Sequence, residues 1–291
     1  MQPSTQKSHS SNNASTPTEA SSQNDNISAV HAVETVNTAA DPAQNATDYE
    51  GVPDSNWLSR LGQRALEWAE GVIARTSAVG DKPFFETEQF PWAQHINQQW
   101  PEVRKELEKI LERREELPNF QDVTPEVGNI NTGDDWKTFF FYGYGIRCEE
   151  NCVRCPKTDE LLQSIPGMKT AFFSILSPQK HIAPHEGPFK GVLRYHLGLI
   201  VPEPREQVRI RVHDQIRHWK EGECLIFDDR FDHQVWNDTD GLRAVLFVDF
   251  VRPCRFPGNL INWLILTIAA WLPQLRRARR NHDKWQDVFY H

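Results

Sequence analysis

Apolar positions near the N-terminal third of the chain recur at helical intervals. Between residues 54 and 75 the repeated positions are Trp57, Leu61, Ala65, Trp68 and Val72. Asp54 or Ser55 is placed to cap this helix. A second stripe in residues 98–117 has Pro101 in its first turn and joins Val103, Leu107, Ile110 and Leu111. The pattern therefore predicts a helical region over residues 54–118.

From about residue 136 the apolar residues come instead in short runs, separated by Pro, Gly and Asp. These runs, rich in Phe, Val and Ile, predict strands at 137–145, 170–176, 191–201, 208–212, 223–227 and 243–251. Because no helical pattern separates most of them, they favour an antiparallel sandwich or barrel. We expect a mainly β fold over residues 119–255, a double-stranded β-helix (jelly roll, cupin-like) with flanking N-terminal helices and a C-terminal apolar helix.

The two ends of the chain differ from its middle. Residues 1–48 are mostly Ser, Thr, Asn, Gln and Ala, so we expect a disordered polar tail without the apolar core of a secretory signal. In the tail over 256–291, residues 260–272 are largely apolar and "RRARR" follows at 276–280. This apolar run is too short to span a bilayer. Two interpretations stay open: a helix in the membrane interface, with contact through residues 260–280, or a helix packed on the barrel.

Charge and cysteine content narrow the class of protein. The formal net charge of −8 argues against a nucleic-acid partner, which would need a basic stripe. Five cysteines, an odd number without a signal peptide, fit a reducing compartment. We therefore expect a cytoplasmic protein, peripheral on the inner face of a membrane if the tail binds lipid. Three of the cysteines cluster in "CEENCVRC" (148–155), which resembles half a zinc site but is better explained by reduced structural thiols.

The run "GVLRYHLGLIV" carries unusual polar residues for an apolar strand. Alternation places Arg194, His196 and Gly198 on one face and the apolar residues between them on the other. A buried guanidinium is costly unless an anion meets it, so a cavity lined by this face would suit a ligand that carries a carboxylate. An exposed edge strand is the alternative for this strand taken alone.

Further histidines and an arginine strengthen the cavity interpretation. His185 is expected in a turn before that strand, and His233 follows "FDDRFD". Imidazoles are usual nitrogen ligands for iron, and a barrel can bring two together from separate strands. The candidate set in chain order is Ser174, His185, Arg194, His196, His233 and Arg243. His181 lies in a Pro-containing loop and is a weaker candidate.

The sequence resembles the aspartyl/asparaginyl β-hydroxylase-like iron(II)- and 2-oxoglutarate-dependent dioxygenases. The resemblance covers roughly residues 85–255, through "FPWA" (90–93), "CPKTDELLQSIPGMKTAFFSIL" (155–176), "HIAPHEGP" (181–188), "LRYHLGL" (193–199) and "FDDRFDHQVWND" (227–238). The lipid A hydroxylases of Gram-negative bacteria look like a neighbouring branch.

The resemblance implies a role for each residue of the candidate set. His185 and His233 would be catalytic as the ligands of Fe(II). Arg243 and Ser174 would bind the distal carboxylate of 2-oxoglutarate, and Arg194 and His196 its keto-acid end. O2 would be the third participant, and the reaction the hydroxylation of an unactivated C–H bond.

Gly187 departs from the commoner iron-oxygenase pattern, in which a carboxylate stands two residues after the first histidine. The adjacent Glu186 should point away. The hydroxylase branch also has glycine here, with water expected at the third site, whereas in halogenases a halide fills it. We expect the hydroxylase, acting on a peptide, lipid-linked or small-molecule substrate. The alternatives are a halogenase, a non-catalytic carboxylate-binding jelly roll, or an interaction protein.

Overall fold

A computed structural model describes residues 57–123, 133–143 and 146–269 of the chain. The predicted polar tail, the capping residues Asp54 and Ser55 and the basic run at 276–280 lie outside the described residues.

Seven α-helices flank the β-strands in the described residues, and the two helices that the apolar spacing predicts are confirmed. The first begins at Trp57 and ends at Thr76. The second has a proline in its first turn and buries Val103, Leu107 and Ile110. The helices are α1 (Trp57–Thr76), α2 (Pro91–Gln98), α3 (Trp100–Leu111), α4 (Phe120–Val123), α5 (Glu149–Arg154), α6 (Pro156–Gln163) and α7 (Gly258–Ala269).

The strands include all the runs that the sequence predicts, together with several that it does not. The strands are β1 (Phe84–Phe85), β2 (Trp136–Gly143), β3 (Ile146–Arg147), β4 (Met168–Leu176), β5 (Lys180–His185), β6 (Val192–Ile200), β7 (Val208–Val212), β8 (Gln215–His218), β9 (Cys224–Phe227), β10 (His233–Asn237) and β11 (Arg243–Val251). β1 lies inside the region predicted as helical and pairs with β9.

These strands form two antiparallel sheets. The larger has the order β1-β9-β6-β11-β4-β2-β3, and the smaller has the order β5-β10-β7-β8. From β4 to β11 the chain passes from one sheet to the other at each connection except the β7–β8 hairpin. This winding is that of a double-stranded β-helix, so the predicted jelly roll with flanking helices is confirmed.

Each face of the larger sheet has its own apolar core. One face of β6 packs against α2, α3 and α6 through Leu193, Tyr195, Leu197 and Leu199. The opposite faces of β4 and β11 meet the smaller sheet through Phe172, Val245 and Phe247. The alternation predicted for β6 is therefore confirmed, and its polar face looks into the space between the sheets. β6 lies between β9 and β11, which is incompatible with an exposed edge strand.

Helix α7 packs beside α1 rather than across the sheets. Only Gly258, Asn262 and Leu266 of this helix are buried. Among the described residues, no helix has the length and apolar character needed to cross a membrane.

Candidate active site between the two sheets

The smaller sheet brings His185 and His233 together. His185 is the last residue of β5 and His233 the first of β10, and the two residues are partners in the antiparallel ladder. Their ring centroids are 4.1 Å apart. The expectation of a turn at His185 was wrong because Pro184 interrupts the strand pattern there. β5 lies at the edge of its sheet, where a proline is tolerated.

Both imidazoles are oriented through the same ring nitrogen. Nδ1 of His185 lies 2.8 Å from the carbonyl oxygen of Ala183, and Nδ1 of His233 lies 3.0 Å from that of Phe231. A proton on Nδ1 that is donated to the carbonyl leaves Nε2 as a lone-pair donor. Burial lowers the pKa of His185, and burial together with the neighbouring His185 and Arg194 lowers that of His233 well below its ordinary value. Both rings are therefore neutral at pH 7, as a metal ligand must be.

The larger sheet supplies the other predicted residues. Ser174 lies on β4, Arg194 and His196 on β6, and Arg243 on β11, and these three strands are neighbours. All six residues of the candidate set line one narrow cavity between the sheets, together with Trp136, Ile182, Ile210, Phe227, Val235 and Phe247. The structure thus brings the whole set to one place.

Arg243 is the most unusual charge in the cavity. Its side chain is buried, and its guanidinium carbon lies 4.5 Å from the ring centroid of Trp219. Nε and Nη1 of Arg243 have no hydrogen-bond partner within the described chain. Burial lowers the pKa of Arg243 to about 9. A buried cation with unpaired donors is suited to bind an anion. The nearby Ser174 hydroxyl accepts a hydrogen bond from Trp136 Nε1 at 3.0 Å.

Arg194 already has carboxylate partners in the structure. Its Nε donates to Asp249 Oδ1 at 2.9 Å, and its Nη2 lies 2.8 Å from Asp229 Oδ2. The guanidinium also covers the ring of Phe247 at 4.3 Å. The assignment of Arg194 to the keto-acid end of a cosubstrate stays a prediction.

His196 lies deeper in the cavity, among aromatic rings. Its ring contacts those of Trp219, Phe227 and Phe247. Neither ring nitrogen has a hydrogen-bond partner within the described chain. Burial and the charge of Arg194 lower the pKa of His196 well below its ordinary value. A neutral imidazole with two unpaired nitrogens is suited to a polar ligand that completes the site.

Asp229 takes the place that a side chain at Gly187 would need. A Cβ added to Gly187 would lie 2.2 Å from Asp229 Oδ2. Burial raises the pKa of Asp229 to about 6, against the opposing effect of Arg194. The neighbouring Asp228 binds Arg252 instead. The glycine at 187 is therefore required by packing, since a carboxylate from another loop lies against its backbone.

Other candidates stand apart from this cavity. His181 is exposed and stacks on Trp236 with centroids 5.1 Å apart. The three clustered cysteines, Cys148, Cys152 and Cys155, are buried and form no disulfide, and burial raises the pKa of Cys152 to about 12. Structural thiols explain them, as the sequence favoured.

Two residues of the site, Asp249 and Trp219, were not predicted from the sequence. Asp249 holds Arg194, and alternation along β11 places it on the same face as Arg243, which was a readable signal. Trp219 lies between β8 and β9, and nothing in the sequence pattern marks it.

An iron ion fits the donor set at this site with two protein ligands. Within the described residues, no cluster of three or more His, Cys, Asp or Glu side chains is arranged to hold a metal. The His185 and His233 pair therefore needs non-protein ligands to complete a coordination shell. The unpaired donors of Arg243 and His196 suit a carboxylate-bearing chelator in the same cavity.

The chain is similar to proteins of one known family. The family model of aspartyl/asparaginyl beta-hydroxylases matches residues 97–253. The ornithine lipid ester-linked acyl 2-hydroxylase of Rhizobium tropici is 46% identical over 233 residues, which cover 80% of this chain and 83% of that protein. The human aspartyl/asparaginyl beta-hydroxylase is 34% identical over 163 residues, 54% of this chain and 21% of that much longer protein.

Among solved structures, a Pseudomonas putida prolyl-4-hydroxylase aligns with a TM-score of 0.37 and 18% identity, covering 53% of this chain and 87% of that one. The family model spans more than half of the chain, and the bacterial relative aligns over most of both chains. This protein belongs to the aspartyl/asparaginyl β-hydroxylase family.

Proposed function

We propose that this protein is an iron(II)- and 2-oxoglutarate-dependent hydroxylase that adds a hydroxyl group to the acyl chain of an amino-acid-containing lipid. The observation that carries the proposal is one cavity in which two neutral imidazoles lie with a buried, unpaired guanidinium. The bacterial relative, named as a lipid acyl hydroxylase, supports a lipid as substrate because it aligns over most of both chains.

In this proposal each cavity residue has a defined task. Nε2 of His185 and of His233 hold the iron. Arg243, with the Ser174 hydroxyl, binds the distal carboxylate of 2-oxoglutarate, since a planar guanidinium pairs well with a carboxylate. Arg194 and His196 position its keto-acid end. With O2, the bound metal and cosubstrate supply the oxidising chemistry, in which 2-oxoglutarate becomes succinate and CO2 and a C–H bond becomes C–OH.

The apolar walls of the cavity contribute by excluding water. Ile182, Ile210, Phe227, Val235 and Phe247 surround the polar set. Electrostatic contacts are stronger in such a site than in water, so Arg243 attracts an anion more strongly there than it would at an exposed position.

Two alternatives are less well supported by the geometry. A halogenase needs room and positive charge for a halide beside residue 187, whereas the Asp229 carboxylate lies against Gly187. A carboxylate-binding module without catalysis would have no need of two metal-ready imidazoles.

Support for a peptide substrate comes from the human relative, whose match covers 21% of that protein. The five cysteines all lie within the described residues and form no disulfide, which supports the proposed location in the reducing cytoplasm, beside the inner face of a membrane.

The proposal is tested with purified protein, iron(II), 2-oxoglutarate and detergent-dispersed ornithine lipid. We expect mass spectrometry to find one added oxygen on an acyl chain and succinate formed in equal amount. A reaction in which iron is chelated is the control. Succinate without hydroxylated lipid, together with oxygen added to an Asp/Asn-containing peptide, would reject the lipid substrate. No succinate under any condition would reject the cofactor assignment.

A further inference from the structure

Helices α1 and α7 expose large apolar side chains that the fold leaves uncovered. Trp68 on α1 and Trp263 on α7 are 63% and 61% exposed. The two helices are neighbours: the start of α7 at Gly258 touches the end of α1 at Thr76. We call the following exposed residues the helix-pair surface: Leu61, Trp68, Leu260, Trp263, Leu264 and Ile268. Apolar exposure concentrated in this way marks an interaction site on a folded protein.

Both helices also hold the loops that adjoin the candidate active site. On α7, Asn262 Nδ2 donates to the Gly191 carbonyl at 2.7 Å. On α1, Glu70 Oε1 accepts from the Lys190 backbone at 3.0 Å and from Arg230 Nε at 3.3 Å. The first loop leads from His185 to β6, and Arg230 lies between β9 and His233. Whatever docks on these helices therefore lies next to the loops that adjoin His185 and His233.

A groove beside α7 offers room for a hydrocarbon chain. Its volume is about 690 Å³, and it lies between α7, the start of β4 and the end of β11. Trp92, Met168, Phe250, Trp263 and Leu266 are among its lining residues.

The chemistry of α7 suits hydrocarbon better than a protein surface. The helix has no charged residue. Its exposed Thr267 hydroxyl donates to the Trp263 carbonyl within the helix at 2.7 Å, so it needs no external partner. Hydrogen bonds satisfied inside the helix are what a lipid environment demands.

Positive charge also occurs close to these apolar residues along the sequence. Arg60 and Arg64 are exposed on α1, and the sequence after α7 has four arginines at 276, 277, 279 and 280. The chain as a whole has a net charge of −8, so this local excess is opposite to the overall charge. Basic residues beside an apolar helix are attracted to anionic lipid headgroups.

We propose that the helix-pair surface docks on an anionic lipid bilayer and thereby places the active-site entrance against the membrane. This inference rests on the proposed function in one respect, the lipid substrate. It adds the surface that recognises the membrane and the side of the fold on which the substrate enters.

The test is flotation of the full-length protein with vesicles of phosphatidylglycerol and phosphatidylcholine in equal parts. We expect binding that falls at high salt and is weaker for phosphatidylcholine alone. The double variant L264Q/I268Q should bind about tenfold less, because two large apolar side chains no longer enter the hydrocarbon. The matched control is V153Q/I216Q, at two other exposed apolar positions on α5 and β8, which should float as the wild type does.

Each result decides the proposal. Unchanged thermal melting of both variants, with flotation lost only in L264Q/I268Q, supports it, and L61Q/W68Q provides a second variant if the first melts early. Three results would overturn it: wild-type protein that does not float, equal flotation of L264Q/I268Q and its control, or a solution dimer that L264Q/I268Q dissociates. Wild-type hydroxylation of detergent-dispersed lipid without flotation rejects docking alone, whereas flotation without hydroxylation rejects the proposed function alone.

Discussion

His185 and His233, the proposed iron ligands, show how backbone geometry orients imidazole side chains. Each ring is anchored at Nδ1 by a carbonyl oxygen two residues earlier in the chain. The pairing of β5 with β10 then sets the separation of the two rings. Tautomer, orientation and spacing are all fixed by the protein itself, so the proposed binding of iron would need little reorganisation of the two rings.

The variant His233→Ala should lose iron and turnover together. Changes in residues that merely orient metal ligands already cost 10–100-fold, so removal of a ligand should lower succinate formation by more than about 100-fold. The measurements are bound iron and succinate release. The matched control is His181→Ala, which removes an exposed histidine that stacks on Trp236 outside the cavity. Full activity of His233→Ala would remove this residue from the metal site.

Arg243 should govern the requirement for 2-oxoglutarate. In Arg243→Ala the cosubstrate loses its buried charged partner, which costs about 2–5 kcal/mol, a rise in apparent KM of about 30-fold or more. Iron affinity without cosubstrate should change little. Titration with each ligand separates the two effects, and Arg217→Ala on exposed β8 is the control. Equal loss of iron and 2-oxoglutarate binding would mean that Arg243 is structural.

Which residues face the candidate site was predictable where the alternation of a strand applies. The polar face of β6, with Arg194 and His196, follows from the sequence of that strand alone. The ion pairs of Arg194 with Asp229 and Asp249 do not, because they join three different strands or loops. The packing of Asp229 against Gly187 likewise depends on two distant segments and leaves no local pattern.

Among the elements, β2, β3 and α6 are joined by a network around Asp159. Its carboxylate accepts from Tyr142 at 2.5 Å, from Arg147 Nη2 at 2.7 Å and from Gln163 at 2.9 Å. Burial acts to raise the pKa of Asp159, but the bonds from Arg147 and Tyr142 outweigh it, so the pKa is lowered. The ionised carboxylate therefore stabilises the fold.

Asp159→Asn should destabilise the protein in a manner that depends on pH. Because the folded pKa lies below the ordinary value of 3.8, the contribution of Asp159 is present above that pH and is lost as the pH falls through the folded pKa. We expect a loss of about 1–3 kcal/mol in the free energy of unfolding at pH 7. Urea unfolding should show the difference from wild type shrinking below pH 4.

The control for that measurement is Asp238→Asn, which removes a half-exposed carboxylate paired with Arg209. Exposed ion pairs of this kind contribute little to the free energy of unfolding, about 0–1 kcal/mol. A loss in Asp159→Asn that equals the control, or that grows on acidification, would contradict the role of the network.

Element prediction failed where strands are short or polar. β5 contains Pro184 and β8 has four mostly exposed residues, so neither shows an apolar run. Their pairing with β10 and β7 is a tertiary effect. The longer strands were predictable because their alternation or continuous apolar run reflects burial directly.

At the scale of the whole molecule, the helices connect the barrel to its surroundings. The smaller sheet supplies His185 and His233, the larger sheet supplies His196 and the two arginines, and α1 and α7 hold the loops beside them. Gly191 has no side chain to separate it from α7: a Cβ there would lie 2.1 Å from Asn262 Oδ1. A change in either helix should therefore alter the loops beside the candidate active site.

The variant Asn262→Ala tests that connection. Removal of the buried amide takes away one of the two donors to the Gly191 carbonyl, which keeps the hydrogen bond from the Arg252 backbone N–H at 3.0 Å. The loss of that one bond should cost about 0.5–1.5 kcal/mol in the free energy of unfolding. Amide hydrogen exchange should become faster in residues 186–191, while exchange in β2 and β4 stays as in the wild type. Thr267→Ala on the same helix is the matched control, since that hydroxyl bonds only within α7, and its effect should stay within about 0.5 kcal/mol. If both variants leave exchange in 186–191 unchanged, α7 packs on the fold without holding the loop that follows His185, and the link between membrane docking and the active-site entrance is lost.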